Sequence, residues 1–510
     1  MVENCSHNGK SKVRFAEPPW TEQSAPWLQI DAQLPPDHLA REIRQAIPRL
    51  DLTPLYESYC GRGKAPHRPD LMLAIVLFEL RRGQRKPSQW YQDTHENCAL
   101  WWLGFGMRPS RSCWYEFRDR TGSSVDTLNA HVLHQAVEAD LSRVERGALD
   151  GSAVAANASR RRLINDERLL RRLDQLEVAR QDDEHGQPPD EVPAWMAKTP
   201  DRRTAQHERY GQAQEHLTKL QAANQRRIPS ERRASDQIVV STGDPEAALG
   251  VDKEHVFRPL YTIQTIRDVE SPFILSYDVF AQATDAGTLP PMLARTEQLT
   301  GRRLKELLVD CGYVTGLDLA TCAAEGVMLY GPWKENDVSV PKPNPLFDKT
   351  RFEWLPELGV YRCPAGQSLR RIGSETRRRS GDRQEVLLRY GAEAQTCQAC
   401  SLRAQCTTSQ KGGRSLRRSE HEDLIIAHRA WMETAEAKAV YRLRGQTIEI
   451  VFADFKEHRG LRRFSGHGLT RARTELALEV LVHNLLVLDR FSIQKQSAKE
   501  ANLTPNKIAA

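Results

Sequence analysis

The sequence predicts a mixed α/β core preceded by an all-α domain. Three observations carry that expectation. From a strand at Leu149 onward, short apolar segments follow the order strand, two strands, helix, strand, helix, strand, as in a mixed sheet flanked by helices. Between residues 36 and 135, apolar residues recur at helical spacing. Two stretches, 158–235 and 336–440, interrupt the core with charge, proline, glycine and cysteine, and read as insertions.

Taken in order, residues 1–35 are polar and proline-bearing and read as a flexible arm. Residues 36–135 carry helical runs through Leu71, Met72, Ile75, Val76, Leu77 and Leu80, then through Leu100, Trp102 and Leu103. Ser110, after Pro109, is placed to cap a helix bearing Arg111, Trp114, Tyr115, Phe117, Arg118 and Arg120. A basic, aromatic helix suits a helix-turn-helix-like DNA reader, with Arg111 and Arg118 as contacts. A helical bundle with a solvated basic face fits the same residues. The core takes 140–335 and 441–490, split by a charged helical hairpin at 158–235. Strands are expected at Ile238–Ser241, Pro259–Ile266, Pro272–Phe280, Leu307–Asp310 and Val327–Tyr330, and helices at Ala286–Leu299 and Thr315–Ala324. Helices around Thr447–His458 and Thr470–Leu488 complete it, before a tail at 491–510.

Composition excludes some classes. The chain has 510 residues and a net charge of only +6, with 27% charged and 39% hydrophobic residues. Its mean hydropathy is −0.59. The longest apolar run, Leu71 to Phe78, is far short of the ~20 residues that span a bilayer. With no signal-like segment after Met1, a cytoplasmic protein with reduced cysteines and no membrane partner is expected.

Three carboxylates stand out. Asp310 ends the apolar run Leu307-Leu308-Val309, and carboxylates at the carboxyl ends of strands in an α/β sheet face the ligand crevice. Asp150 sits on the first strand. Glu449 lies on a helix, with Phe452 and Lys456 at i+3 and i+7. Such a set could hold two Mg²⁺ ions for phosphoryl transfer. On composition alone, Asp244, Asp252, Asp285, Asp318, Asp454 and Glu457 are rivals.

Cys363, Cys397, Cys400 and Cys406 include a Cys-x₂-Cys pair and form the ligand set of a structural zinc ribbon within 336–440. Free thiols are the other reading. Between Arg362 and Arg418, thirteen Arg or Lys face four acidic residues, densest at Arg377, Arg378 and Arg379. Such a patch binds DNA phosphates without reading sequence. A solvated basic loop is the alternative.

Seven blocks in order carry a resemblance over most of residues 35–490. They are His67-Arg68-Pro69-Asp70-Leu71-Met72-Leu73; Trp101-Trp102-Leu103 through Phe117-Arg118; Leu149-Asp150-Gly151-Ser152 with Asn157-Ala158-Ser159; Thr242-Gly243-Asp244-Pro245-Glu246-Ala247; Tyr261-Thr262-Ile263-Gln264; Val309-Asp310-Cys311-Gly312-Tyr313; and Glu449, Phe452, Lys456 with Arg459-Gly460, Arg463-Phe464 and His483-Asn484-Leu485-Leu486. In these blocks the chain resembles the DDE transposases of bacterial insertion sequences, with an InsH-type N-terminal domain and an RNase H-like core.

The resemblance implies that Asp150, Asp310 and Glu449 bind two Mg²⁺ ions. It also implies DNA transposition: cleavage at the terminal inverted repeats of a mobile element, then strand transfer into target DNA by a dimer on paired ends. Tyr441 and Lys456 would contact phosphate. Arg444 shares the family's basic position, with four residues before Glu449 where the family has three, and Thr262 stands where it has Asn. A catalytically inactive DNA-binding derivative, or a nuclease that cuts without joining, would keep much of the same sequence.

Overall fold

In a computed structural model of the chain, residues 13–60, 64–187, 189, 191–227, 229–333, 347–379 and 383–503 are described. The first twelve residues of the expected arm, residues 336–346 of the second insertion and the last seven of the tail lie outside them. The chain divides into two compact units. One comprises 1–284, 294–303 and 446–510, the other 285–293 and 304–445.

In the first unit, the described elements up to residue 138 are helical: α1 (Ala25–Gln33), α2 (Leu39–Ala46), α3 (Thr53–Glu57), α4 (Pro69–Arg81), α5 (Pro87–Glu96), α6 (Cys98–Leu103), α7 (Arg111–Thr121) and α8 (Val125–Glu138). Prolines begin α4 and α5, where the missing N–H is no loss. Ser110 caps α7 by accepting the Cys113 N–H. A helix stands where the arm was expected, because Trp27 is buried. Its indole donates to Trp102 O at 3.0 Å, stacks 5.4 Å from the Trp102 ring and lies under the Arg44 guanidinium.

Strand β1 (Arg146–Ala155) follows, then β2 (Leu163–Ile164), α9 (Asp166–Glu184), α10 (Pro200–Gln225), β3 (Val240–Ser241), β4 (Ala248–Val251), β5 (Phe257–Asp268) and β6 (Ile274–Phe280). β5 is the long central strand, antiparallel to β1, β4 and β6, and sets Thr265 opposite Asp150. The charged hairpin has its own core. Leu169, Leu176, Tyr210 and Leu217 pack with Ile164 and Val240 from the two-stranded base, and a buried Arg203–Asp183 pair ties α10 to α9. Helix α11 (Leu289–Thr300) comes next.

The second unit contains β7 (Glu306–Leu308), α12 (Gly316–Glu325) and β8 (Met328–Tyr330), with β7 and β8 parallel. Thr315 caps α12, and Gly326 closes it in the left-handed conformation. β9 (Glu353–Leu355), β10 (Val360–Arg362), β11 (Ser368–Arg378), β12 (Gln384–Gly391) and β13 (Ser415–Ser419) then form a five-stranded antiparallel sheet, with α13 (Ala394–Gln398) and α14 (Arg403–Cys406) before the last strand. Phe352, Tyr361, Leu369, Tyr390 and Leu416 are its core. The stretch read as a Cys/Arg-rich insertion is thus an ordered sheet. Helices α15 (Glu422–Met432) and α16 (Ala435–Tyr441) follow.

α17 (Leu443–Ala453) runs into a π-helical turn, Asp454–His458, and the chain's longest described helix, α18 (Leu469–Leu503), comes after it. Within the first unit α18 packs on α8, α4, α2 and β6, so the N-terminal helices and the sheet share one compact body. No described helix is long and apolar enough to cross a membrane.

Candidate active site

β1 and residues 447–464 run alongside each other, held by three ties. Arg267 on β5, the cross-strand partner of Ala148, donates to Thr447 O. Lys456 Nζ donates to Ala153 O at 2.9 Å. Ala155 forms a parallel bridge with Arg463, its N–H donating to Arg462 O at 3.1 Å and its carbonyl accepting from Phe464 N at 2.9 Å. Asp150 and Glu449 both fall between the first two ties. Five strand residues span ~17 Å and nine helical residues ~14 Å, so strand and helix keep pace over this stretch. Asp150 is half-buried, with Oδ1 accepting the Gly151 N–H at 2.8 Å, and Glu449 is exposed.

The helix departs from the expected face. Phe452 is buried while Glu449 is exposed. The π-turn, marked by Arg459 N donating to Asp454 O at 3.0 Å, rotates later residues off the α-register. Lys456 therefore reaches the β1 carbonyl and is not simply two turns above Glu449. Burial, with Lys253 and Arg462 nearby, brings the Lys456 ammonium down to about 8.

Asp310 belongs to the second unit. It follows β7, past the Val309 N–H that donates to Tyr330 O at 2.8 Å, and its Oδ1 accepts the Gly312 N–H at 2.7 Å. Among the described residues, no group of three or more His, Cys, Asp or Glu side chains is gathered to hold a metal.

Most rival carboxylates have structural partners. Asp244 is buried, accepts the Tyr261 hydroxyl at 2.7 Å, and with Glu246 receives the Gly468 and Leu469 N–H groups at the start of α18. The Asp244-Pro245-Glu246 block thus anchors a helix N-terminus. Asp252 pairs with Arg258, Asp318 with Arg383, Asp454 with Arg81 and Arg459, and Glu457 with Arg462.

Of the expected DNA contacts, Arg111 is exposed, whereas Arg118 is 8% exposed and pairs with Asp119. Arg377 pairs with Glu375 and Arg379 with Glu385, while Arg378 is exposed. Tyr441 and Arg444 are half-buried members of the second unit. Sequence reasoning passed over Arg258 and Arg267, which sit on β5 outside any motif, and gave Arg463 no task beyond its place in the seventh block.

The four cysteines line one small apolar cavity with Leu369 and Leu402. The Gln367 N–H donates to Cys363 Sγ at 3.3 Å and the Arg414 N–H to Cys397 Sγ at 3.4 Å. Burial pushes the Cys406 thiol up, and the other three cysteines are near enough to add to that rise.

Two segments match known families. Residues 28–120 match the transposase domain of the family DUF772, and residues 362–488 match the family described as Transposase DDE domain. Both families are transposase domains, and together the two matches support a DDE transposase of an insertion sequence. The second match takes in Glu449, Lys456 and the four cysteines, while Asp150 and Asp310 lie outside both. No curated protein and no solved structure matches the chain.

Proposed function

We propose that the chain cleaves phosphodiester bonds at the ends of an insertion sequence and joins the freed 3′-hydroxyls to target DNA. The observation carrying this reading is the register of β1 against residues 447–464, which sets the Asp150 strand beside the Glu449 helix. Asp150, Glu449 and Asp310 would hold two Mg²⁺ ions. The donor set fits, being all carboxylate oxygen with all three members open to solvent or partly so. Bound there, the metal would activate water and stabilise the attacking and leaving oxygens.

The chain's own residues have separate tasks. Lys456, fixed against the Ala153 carbonyl, would meet a phosphate oxygen as a point charge. Arg267 fixes the start of the glutamate segment against the sheet. The helices of residues 36–135, with Arg111 exposed, would bind the terminal repeats, and the core would adopt an RNase H-like arrangement on paired ends. Arg378 would add a phosphate contact. Cys363, Cys397, Cys400 and Cys406 would hold a structural zinc. Four soft sulfur donors around one cavity, two of them accepting backbone N–H groups, suit that ion.

Purified chain, incubated with duplex DNA ending in the element's inverted repeats and with Mg²⁺, should release 3′-hydroxyl ends and join them to a plasmid. EDTA should stop both reactions. The same preparation should carry about one zinc per chain by elemental analysis. Uncut ends, or cutting that ignores EDTA, would count against the reaction, and a zinc-free preparation against the cysteine site.

A further inference from the structure

We propose that the open groove beyond the end of β1 seats the backbone of the bound DNA strand, holding phosphates about five nucleotides from the bond cleaved near Asp150. This rests on the proposed reaction and assigns a task to residues it leaves idle.

The groove has a volume of about 600 Å³ and is lined by Asn157, Ser159, Arg160, Arg161, Arg258 and Arg463. Four guanidiniums and no carboxylate line it. Two of the four are built in. Arg463 Nη1 donates to Ala156 O at 2.8 Å and Ala158 O at 3.0 Å, bracing the loop that leaves β1. Arg258 is held by Asp252 at 2.8 Å and Glu254 at 3.5 Å, so it contributes shape more than net charge. The other two, Arg160 and Arg161, are exposed, and among the described residues no carboxylate pairs with either. Arg160, Arg161 and Arg463, which have no carboxylate partner among the described residues, repel one another on one concave surface, and an anionic chain laid along the groove relieves that repulsion. The Ser159 hydroxyl adds a neutral donor of the kind that positions phosphates without reading bases.

Toward β1, Lys456 touches the strand at Ala153, with Lys253 and Arg462 on one side of its charge balance and Asp252 and Glu254 on the other. From Asp150 to Ala155 the strand covers ~17 Å, and a DNA strand advances ~3.4 Å per nucleotide, which gives about five steps. A double-stranded phosphate backbone, not a compact anion, matches a track of that length.

The test uses the full chain and a fluorescein-labelled duplex ending in the terminal repeat, with affinity measured against salt. Arg160→Ala with Arg161→Ala should weaken binding and reduce the salt slope by about two, near one per lost phosphate contact. Arg168→Ala with Arg171→Ala, exposed on α9, should leave the slope unchanged. Neutral methylphosphonates placed about five nucleotides from the scissile bond should weaken wild-type binding and leave the groove variant unaffected. An unchanged slope in the groove variant, an equal loss in the α9 variant, or a methylphosphonate effect independent of position would each overturn the proposal. Wild-type protein that shows this slope yet never cuts would overturn the proposed reaction alone.

Discussion

Lys456 is the residue whose chemistry depends most on its setting. Its stem crosses to β1, its Nζ meets Ala153 O, and burial with two nearby cations lowers its proton affinity to about 8. In DNA-free protein it therefore sheds charge as pH rises through that value, while a phosphate oxygen beside it favours the charged form. Affinity for end DNA should fall between about pH 7 and about pH 9 more steeply in wild-type protein than in Lys456→Gln, measured by anisotropy at fixed salt. Parallel curves would show that Lys456 does not meet phosphate. Its seven-residue spacing from Glu449 was legible in the sequence, but its partner was not, because a strand carbonyl leaves no mark in a helix pattern. The carboxylates show the same limit. Asp244 and Asp150 look alike as letters, and only the Tyr261 hydroxyl and the α18 N–H groups identify Asp244 as an anchor.

At the scale of elements, the π-turn and α18 are joined by a buried charge network. Arg459 is 1% exposed, pairs with Asp454 and donates to Glu479, which is fully buried. Burial raises Glu479 to about 7 against the pull of Arg459. Arg459→Ala would leave that carboxyl without its cation and should cost about 3–5 kcal/mol in urea unfolding. A loss below about 1 kcal/mol would mean the network relaxes without it. The sequence announced elements that carry strong local signals. Ser110 caps α7 as its spacing implies, the helix expected at Thr315–Ala324 is α12 shifted by one residue, and the strands at Leu149 and Pro259 appear with longer bounds. It did not announce β9–β13. Two of those strands are three residues long, and β11 is interrupted by a register shift near Gly373, so period-two alternation is broken where it would be read.

For the whole molecule, the net charge of +6 conceals its distribution. Many arginines of the five-stranded sheet are spent in ion pairs with Glu353, Glu375, Glu385 and Asp423, whereas the groove past β1 gathers four guanidiniums with no lining carboxylate. Charge density along the sequence pointed to the first region, whereas in the second Arg160, Arg161 and Arg463 have no carboxylate partner among the described residues. The order of seven blocks made the family legible, because it survives two long interruptions. The compact units were not legible, since α18 draws the N-terminal helices onto the sheet from more than three hundred residues away.

The central claim is that Glu449 serves the cleavage reaction while its neighbours serve the fold. Strand cleavage of end DNA by Glu449→Gln, beside Glu457→Gln from the same segment, tests it most directly. Glu449→Gln should bind the DNA as wild-type does and give no detectable cleavage, and Glu457→Gln, which loses only a surface pair with Arg462, should cut at the wild-type rate. Wild-type cleavage by Glu449→Gln would contradict the assignment.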